Sequence, residues 1–234
     1  SENELDTVGE ELREFIVGVT SKTGGHLGAS LGATELVVAL HYVFQTPSDK
    51  LIWDVGHQAY AHKVLTGRKA EFESLRQWGG IAGFPDRLES PFDHMNVAHG
   101  GTSISAASGM ATARDLSKED FSVVAIIGDG SLTSGMSMEA LNNAGDSKRD
   151  LTVILNDNKM GISKNVGAMC SYLARIMTGE WANRARKFRN EVQKIVSHLP
   201  VFGESAVNFM TRFEDSMKNL FVPGILFEEL GFRY

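Results

Sequence analysis

At 234 residues with 42% hydrophobic side chains, the chain has the length of one large domain and enough apolar content for a sizeable core. A formal net charge of −6 argues against broad nucleic-acid binding, and no run is long and apolar enough to read as a membrane span. Cys170 is the single cysteine, which excludes an intrachain disulfide and makes a cytoplasmic compartment the default. The start, Ser1-Glu2-Asn3-Glu4, is neither signal nor transit peptide and lacks an initiator methionine, so a chain trimmed at this end is expected.

Glu4 to Thr20 reads as an amphipathic helix, with Val8, Leu12, Phe15, Ile16 and Val19 at helical spacing. Thr23-Gly24-Gly25 breaks it and leads into a glycine-rich loop, Gly24 to Gly32, that carries His26. Ala33 to Phe44 is a dense apolar helix with Leu36, Val37, Leu40 and Phe44 facing inward and His41 as a structural residue. A turn centred on Pro47 comes next, then a short strand, Leu51-Ile52-Trp53, that ends in Asp54-Val55-Gly56-His57. His57 thus stands at a strand end, where parallel α/β sheets place their ligands. Lys63 reads as a solvated helix residue and Lys69 to Gln77 as a surface helix. Trp78 to Pro85 is loop; Asp86 to Asn96 is charged and irregular, with Asp93 and His94 expected at the surface.

Val97-Ala98-His99-Gly100-Gly101-Thr102-Ser103 opens the next helix, which runs over Ile104 to Leu116, and its glycines and hydroxyls suit an anion-receiving helix start. Two apolar, β-branched runs then stand one helix apart. Phe121 to Ile127 ends in Gly128-Asp129-Gly130-Ser131, and Leu151 to Leu155 ends in Asn156-Asp157-Asn158-Lys159-Met160. Ser131 to Ala144 is the crossover helix between them, so the unit is strand, helix, parallel strand, with Asp129 and Asn158 at one sheet edge. A carboxylate and an amide oxygen are hard ligands suited to Mg²⁺ shared with phosphate oxygens, and the amides after Gly130 favour a diphosphate. Gly167 to Phe221 changes character: one apolar stripe from Phe188 to Leu199, another from Phe209 to Phe221, and a basic run of Arg184, Arg186, Lys187 and Arg189 read as a helical hairpin with a solvated face. Ile225 to Tyr234 starts a further α/β element and stops in mid-fold.

Gly128-Asp129-Gly130 with the distal Asn158 resembles the diphosphate-binding motif of thiamine-diphosphate enzymes. Gly25-His26-Leu27-Gly28, the Trp53 to Tyr60 text, His99-Gly100-Gly101-Thr102-Ser103-Ile104-Ser105 and the Leu226 to Phe232 ending narrow the resemblance to the amino-terminal domain of 1-deoxy-D-xylulose-5-phosphate synthases. The resemblance implies an α/β fold, a mostly parallel sheet flanked by helices, with residues 167–222 as a mobile helical insertion within one domain spanning 1–234. It implies thiamine-diphosphate-dependent condensation of pyruvate with D-glyceraldehyde 3-phosphate, in a cytoplasmic homodimer. Asp129, Asn158 and the Met160 carbonyl would hold Mg²⁺. His57, Ala98, His99, Gly100, Gly130, Ser131 and Asn158 would hold the cofactor, and His26, His57 and His99 would serve substrate positioning and proton transfer. Serines are commoner than Gly100-Gly101 in the family, so a hydroxyl donor to the cofactor would be lost here, with backbone amides as its substitute. The resemblance implies that the family's pyrimidine-binding and carboxy-terminal domains are absent here, and hence a chain inactive alone, awaiting the remaining domains in cis or on a separate chain. A split transketolase-like subunit and a non-catalytic remnant are the alternatives.

Overall fold

The computed structural model describes residues 2–157, 167–168 and 225–234. These fall into two units, Ser1–Asn165 and Val166–Tyr234. The first unit is an α/β layer structure around a three-stranded, all-parallel sheet in the order β1-β2-β3, with β1 Lys50–Trp53, β2 Val123–Gly128 and β3 Thr152–Asn156. Strand β2 is central, and Val123 to Ile127 are each at most 2% exposed. That burial on both faces is why its sequence is a continuous apolar run rather than an alternating one. The register is pinned outside the strands as well as within them. Asp49, just before β1, accepts from the Ser122 amide at 2.7 Å, and the Arg114 guanidinium donates to the Phe121 and Asp150 carbonyls just before β2 and β3.

Helices cover the sheet. Helix α1 (Leu5–Thr23) buries Leu12, Ile16 and Val19, spaced three and four apart, and stops where Gly24 takes φ 74° and its amide closes on the Thr20 carbonyl at 2.9 Å. Helix α2 (Leu27–Gly32) is short; α3 (Thr34–Val43) packs on α1 and buries Val37, Val38 and Leu40 in the core. Helix α4 (Tyr60–Lys63) continues into a wider turn over Val64–Arg68 that ends where Thr66 and Gly67 leave helical geometry. Helix α5 (Ser103–Ser117) lies on β1 and β2 and packs on the helix over Gly135–Ser147. The boundaries of α1, α3 and α5 agree with the sequence reading to within about three residues, the uncertainty inherent in helix ends, whereas α2 stands where a loop over Gly24 to Gly32 was expected.

Three further expectations are corrected. The crossover after β2 is two helices, α6 (Asp129–Leu132) and α7 (Gly135–Ser147), because Ser134 is extended and its hydroxyl caps α7 by accepting from the Ser137 amide. Residues 69–77 are not a surface helix. Only Phe72–Ser74 makes a helical turn, Phe72 and Leu75 are fully buried, and Arg76 takes φ 63° as the chain folds back so that its amide reaches the Ile81 carbonyl at 2.9 Å. Lys63 and Asp93 are buried at 0% and 3% exposure rather than solvated, and His94 is half-buried with a ring nitrogen 3.1 Å from the Asp49 carbonyl.

In the second unit, helix α8 (Ile225–Glu229) is followed by a turn, and the rings of Phe227 and Tyr234 stack at 5.5 Å. The expected helical stripes between residues 169 and 221 and the Arg184 to Arg189 run lie outside the described residues, as do Asn158 and Met160. No helix among the described residues is long and apolar enough to cross a membrane.

Candidate functional site at the carboxyl ends of the strands

Pairing of Gly128 with Asn156 sets the ends of β2 and β3 side by side, so the Gly-Asp-Gly turn and Asp157 leave the sheet at the same edge. The end of β1 joins them: the Asp54 amide donates to the Ile126 carbonyl at 2.8 Å, one step beyond the last β1–β2 pair. Beyond Asp54 the chain turns through two left-handed residues, Val55 at φ 59° and Gly56 at φ 87°. A β-branched residue in that region costs on the order of 1–3 kcal/mol, so the surroundings must enforce it. They do so tightly: a Cβ on Gly56 would lie 2.4 Å from Pro85 and 2.6 Å from Val97. The turn delivers His57, whose carbonyl accepts from the Ser30 hydroxyl at 3.0 Å.

His26 arrives from the other side. Its amide donates to the Tyr60 hydroxyl, its ring meets His57 edge-on at 5.8 Å, and it packs on Phe84 at 5.5 Å. Both rings have Nδ1 buried without a partner among the described residues. Burial lowers both pKa values. Arg76 lowers His26 further; His26 lowers His57 further, against the opposing pull of Asp54. Two neutral imidazoles in contact, each with an unsatisfied nitrogen, are poised to exchange a hydrogen bond with an incoming polar group. His99 stands apart from this pair among the described residues: it is exposed, with Nδ1 2.8 Å from the Gly100 carbonyl.

The head of α5 closes the site, and here the sequence reading needs a correction. The helix start does receive an anion, but that anion is the protein's own Asp54. Asp54 Oδ1 accepts from the Gly101 amide at 2.8 Å and Oδ2 from the Ser103 amide at 3.0 Å, so these two donors are already engaged. The hydroxyl counted as lost at position 100 reappears on a neighbouring element. A Cβ on Gly100 would lie 3.2 Å from Ser131 Oγ, and that hydroxyl, half-buried, has no partner among the described residues. Gly101, at φ 85°, is fixed the same way: a Cβ there would lie 2.3 Å from Ser134 Oγ and 3.0 Å from Ser137 Oγ. Helix α6 is one turn long, so it has no macrodipole to offer a ligand.

The structure therefore gathers His26, His57, Gly100 and Ser131 around the strand ends, with Asp129 and Gly130 at the start of α6, Asp129 half-buried and Gly130 exposed. Ala98 and His99 lie on the exposed lip formed by the same loop. Among the described residues no three His, Cys, Asp or Glu side chains cluster as a metal site; the expected Mg²⁺ set needs one carboxylate, with Asn158 and Met160 outside the described residues.

A second polar assembly was not foreseen. His62, fully buried, sets Nε2 3.0 Å from Asp93 Oδ1 and Nδ1 2.9 Å from His41 Nε2. With Asp93 an acceptor, His62 holds its proton on Nε2, so His41 donates. Arg68 grips Asp93 through both terminal nitrogens, at 2.5 and 3.0 Å, and Glu89 at 2.9 Å; Lys63 pairs with Glu89. Asp93 also accepts from the Asp86 amide and Glu89 from the Ala82 amide, which seats the 82–97 segment. Burial would raise the Asp93 pKa, but His62 and Arg68 hold it well below the usual carboxylate range. The one sequence hint is that Lys63 lies within Ala59-Tyr60-Ala61-His62-Lys63-Val64, a run with no polar face to point at water.

The family model for 1-deoxy-D-xylulose-5-phosphate synthase matches residues 1–234. The chain belongs to the 1-deoxy-D-xylulose-5-phosphate synthase family. The enzyme of that name from Syntrophus aciditrophicus is 57% identical over 231 residues, which are 99% of this chain and 35% of the relative. That from Carboxydothermus hydrogenoformans is 54% identical over 232 residues, 99% of this chain and 37% of the relative. The chain thus spans about a third of the length of the relatives it matches. Among solved structures, a transketolase from Leishmania mexicana aligns with a TM-score of 0.61 at 23% identity, over 68% of this chain and 28% of that one. A transketolase mutant from Pichia stipitis aligns with a TM-score of 0.64 at 22% identity, over 73% and 30%. At that identity the likeness is one of fold.

Proposed function

We propose that this chain holds the diphosphate and Mg²⁺ of thiamine diphosphate, and that it serves the condensation of pyruvate with D-glyceraldehyde 3-phosphate to 1-deoxy-D-xylulose 5-phosphate and CO₂. The observation that carries the reading is the Gly128–Asn156 register, which brings the two ligand-bearing loops to one edge beside the His57 turn. The donor set fits such a group: among the described residues, the Ser131 hydroxyl has no partner, Gly100 carries no side chain beside it, and two buried imidazole nitrogens lack partners.

In this reading Asp129, with the Asn158 side chain and the Met160 carbonyl, holds Mg²⁺. Gly130, Ser131, His57 and the Ala98-His99-Gly100 lip hold the diphosphate. When bound, thiamine diphosphate supplies the carbanion chemistry of decarboxylation and carbon–carbon bond formation. His26 and His57, kept neutral by burial, each offer one N–H and one lone pair at pH 7, so either ring can orient a substrate oxygen or take its proton. Phe84 packs on the His26 ring, and Pro85 and Val97 close on Gly56 beside His57, which fixes where the pair stands. His99 orients substrate from the lip. Residues 1–234 form the cofactor-binding domain, and turnover draws on segments that the relatives carry beyond the matched third, within a homodimer.

The test is product formation. With thiamine diphosphate, Mg²⁺ and both substrates, this chain alone is expected to give no 1-deoxy-D-xylulose 5-phosphate. The same chain joined to the remaining two thirds of the Syntrophus aciditrophicus relative is expected to give it, and the Asp129→Ala form of that fusion is not. Equal turnover by the Asp129→Ala fusion would sink the reading.

A further inference from the structure

We infer that Asp54 is a positioning residue for this site: its carboxylate fixes the 98–103 loop on which His99 and Gly100 stand. The inference rests on the proposed cofactor-binding role and deepens it. Asp54 is 1% exposed, and each carboxylate oxygen takes one backbone amide from the head of α5, Gly101 at 2.8 Å and Ser103 at 3.0 Å, across 47 and 49 residues of chain. Two amides that both point at one side chain need two acceptor oxygens. An amide side chain of the same shape would turn an NH₂ toward one of them. The carboxylate also sits at the amino end of a 15-residue helix, where negative charge is favoured.

Asp54 is itself held from three directions. Its amide extends the β1–β2 ladder onto the Ile126 carbonyl, its carbonyl accepts from the Gly56 amide at 2.5 Å, and the strained Val55-Gly56 turn that it starts leads to His57. One residue therefore links the sheet edge, the turn bearing His57 and the loop bearing His99 and Gly100. Because Asp54 already occupies the Gly101 and Ser103 amides, a bound diphosphate meets the outer atoms of the loop, Gly100 and its neighbour Ser131, and not the helix head. The loop stays at the height where Gly100 faces the Ser131 hydroxyl only while Asp54 holds it there.

The experiment compares the whole protein with Asp54→Asn and with Leu12→Ala, a control destabilised in the core far from the site in sequence. Two quantities are read: amide hydrogen exchange at Gly101 and Ser103 relative to Ala107 and Ala111 inside α5, and calorimetric affinity for thiamine diphosphate in Mg²⁺. Asp54→Asn is expected to speed relative exchange at Gly101 and Ser103 at least tenfold and to weaken affinity tenfold or more; Leu12→Ala changes neither. Faster exchange with unchanged affinity overturns the inference, as does unchanged exchange. If Asp54→Asn fails to fold, Asp54→Glu, which keeps the charge but moves it by a methylene, is expected to show both changes in smaller measure. If the unsubstituted protein binds no thiamine diphosphate, the cofactor reading fails on its own, and the positioning role is then decided by the exchange ratio alone.

Discussion

The strand-end site and the Arg68 cluster are both polar, both partly buried and only a few residues apart in sequence at His57 and His62, yet they are built on opposite terms. In the cluster every charge has a partner: Arg68 meets two carboxylates, Asp93 takes four hydrogen bonds, and Lys63 and His62 each close on an acid. At the strand ends, two buried imidazole nitrogens have no partner among the described residues. A buried polar group without a partner costs on the order of 1–3 kcal/mol, so a fold keeps several together only where something else supplies the missing bond. Under the proposed function, the paired unsatisfied imidazoles at the strand ends are where a ligand would be met; single unsatisfied atoms elsewhere, Arg68 Nε among them, carry no such reading.

That contrast orders the expected effects of substitution. The largest loss of stability belongs to Arg68→Met. It strands Asp93 and Glu89 without their shared cation and is expected to cost about 3–5 kcal/mol in chemical denaturation, the usual result of breaking a buried pair from one side. Gly101→Ala comes next. A Cβ there meets the Ser134 hydroxyl in a left-handed backbone, so about 1–3 kcal/mol is expected, with loss of cofactor affinity beyond what the stability change explains. His26→Phe is the smallest. It removes an unpartnered Nδ1 and keeps a ring against Phe84, so stability stays within about 1 kcal/mol of the original while turnover by the complete enzyme is lost. If His26→Phe proved as destabilising as Arg68→Met, the distinction between the two regions would break.

Acid should act through the buried histidines, those of the cluster and the strand-end pair alike. Burial, His62 and Arg68 lower the His41 pKa from 6.5 to about 4, and burial lowers His62 as well. A histidine whose folded pKa lies below its unfolded one binds fewer protons when folded, so its contribution is complete above the unfolded value and is lost as pH falls. The melting temperature is expected to drop as pH falls from about 6.5 to 4. His41→Gln should flatten that slope, since an uncharged amide at the same place has no proton to take up. A slope unchanged by His41→Gln would place the acid sensitivity elsewhere, with His94, also lowered to about 4 by burial, as the next variant to try.

Much of the fold was legible because its signals are local. The runs that became β1, β2 and β3 are apolar and end abruptly, and the helices carry their periodicity within a few turns. The strand-end loops were legible for the same reason: Gly128-Asp129-Gly130 and His57 come directly after strands. The features that escaped reading depend on contacts distant in sequence. Asp54 looked like the first residue of a turn, and its amide partners lie 47 and 49 residues on. Asp93 looked like part of a hydrophilic surface segment, and its partners Arg68 and His62 lie 25 and 31 residues back. The break between α6 and α7 was missed for a subtler reason. Ser134 is tolerable inside a helix and becomes a cap only because its hydroxyl is engaged by the Ser137 amide and lies against Gly101.

The most direct test of the central claim, that the unsatisfied edge is a diphosphate site, is calorimetric titration of thiamine diphosphate with Mg²⁺ into the protein beside its Asp129→Ala and Arg68→Met forms. The account predicts Mg²⁺-dependent binding that Asp129→Ala abolishes and that Arg68→Met, studied at a temperature where it remains folded, retains within about tenfold, a difference of about 1.4 kcal/mol. Binding that survives Asp129→Ala intact, or that needs no Mg²⁺, would contradict it.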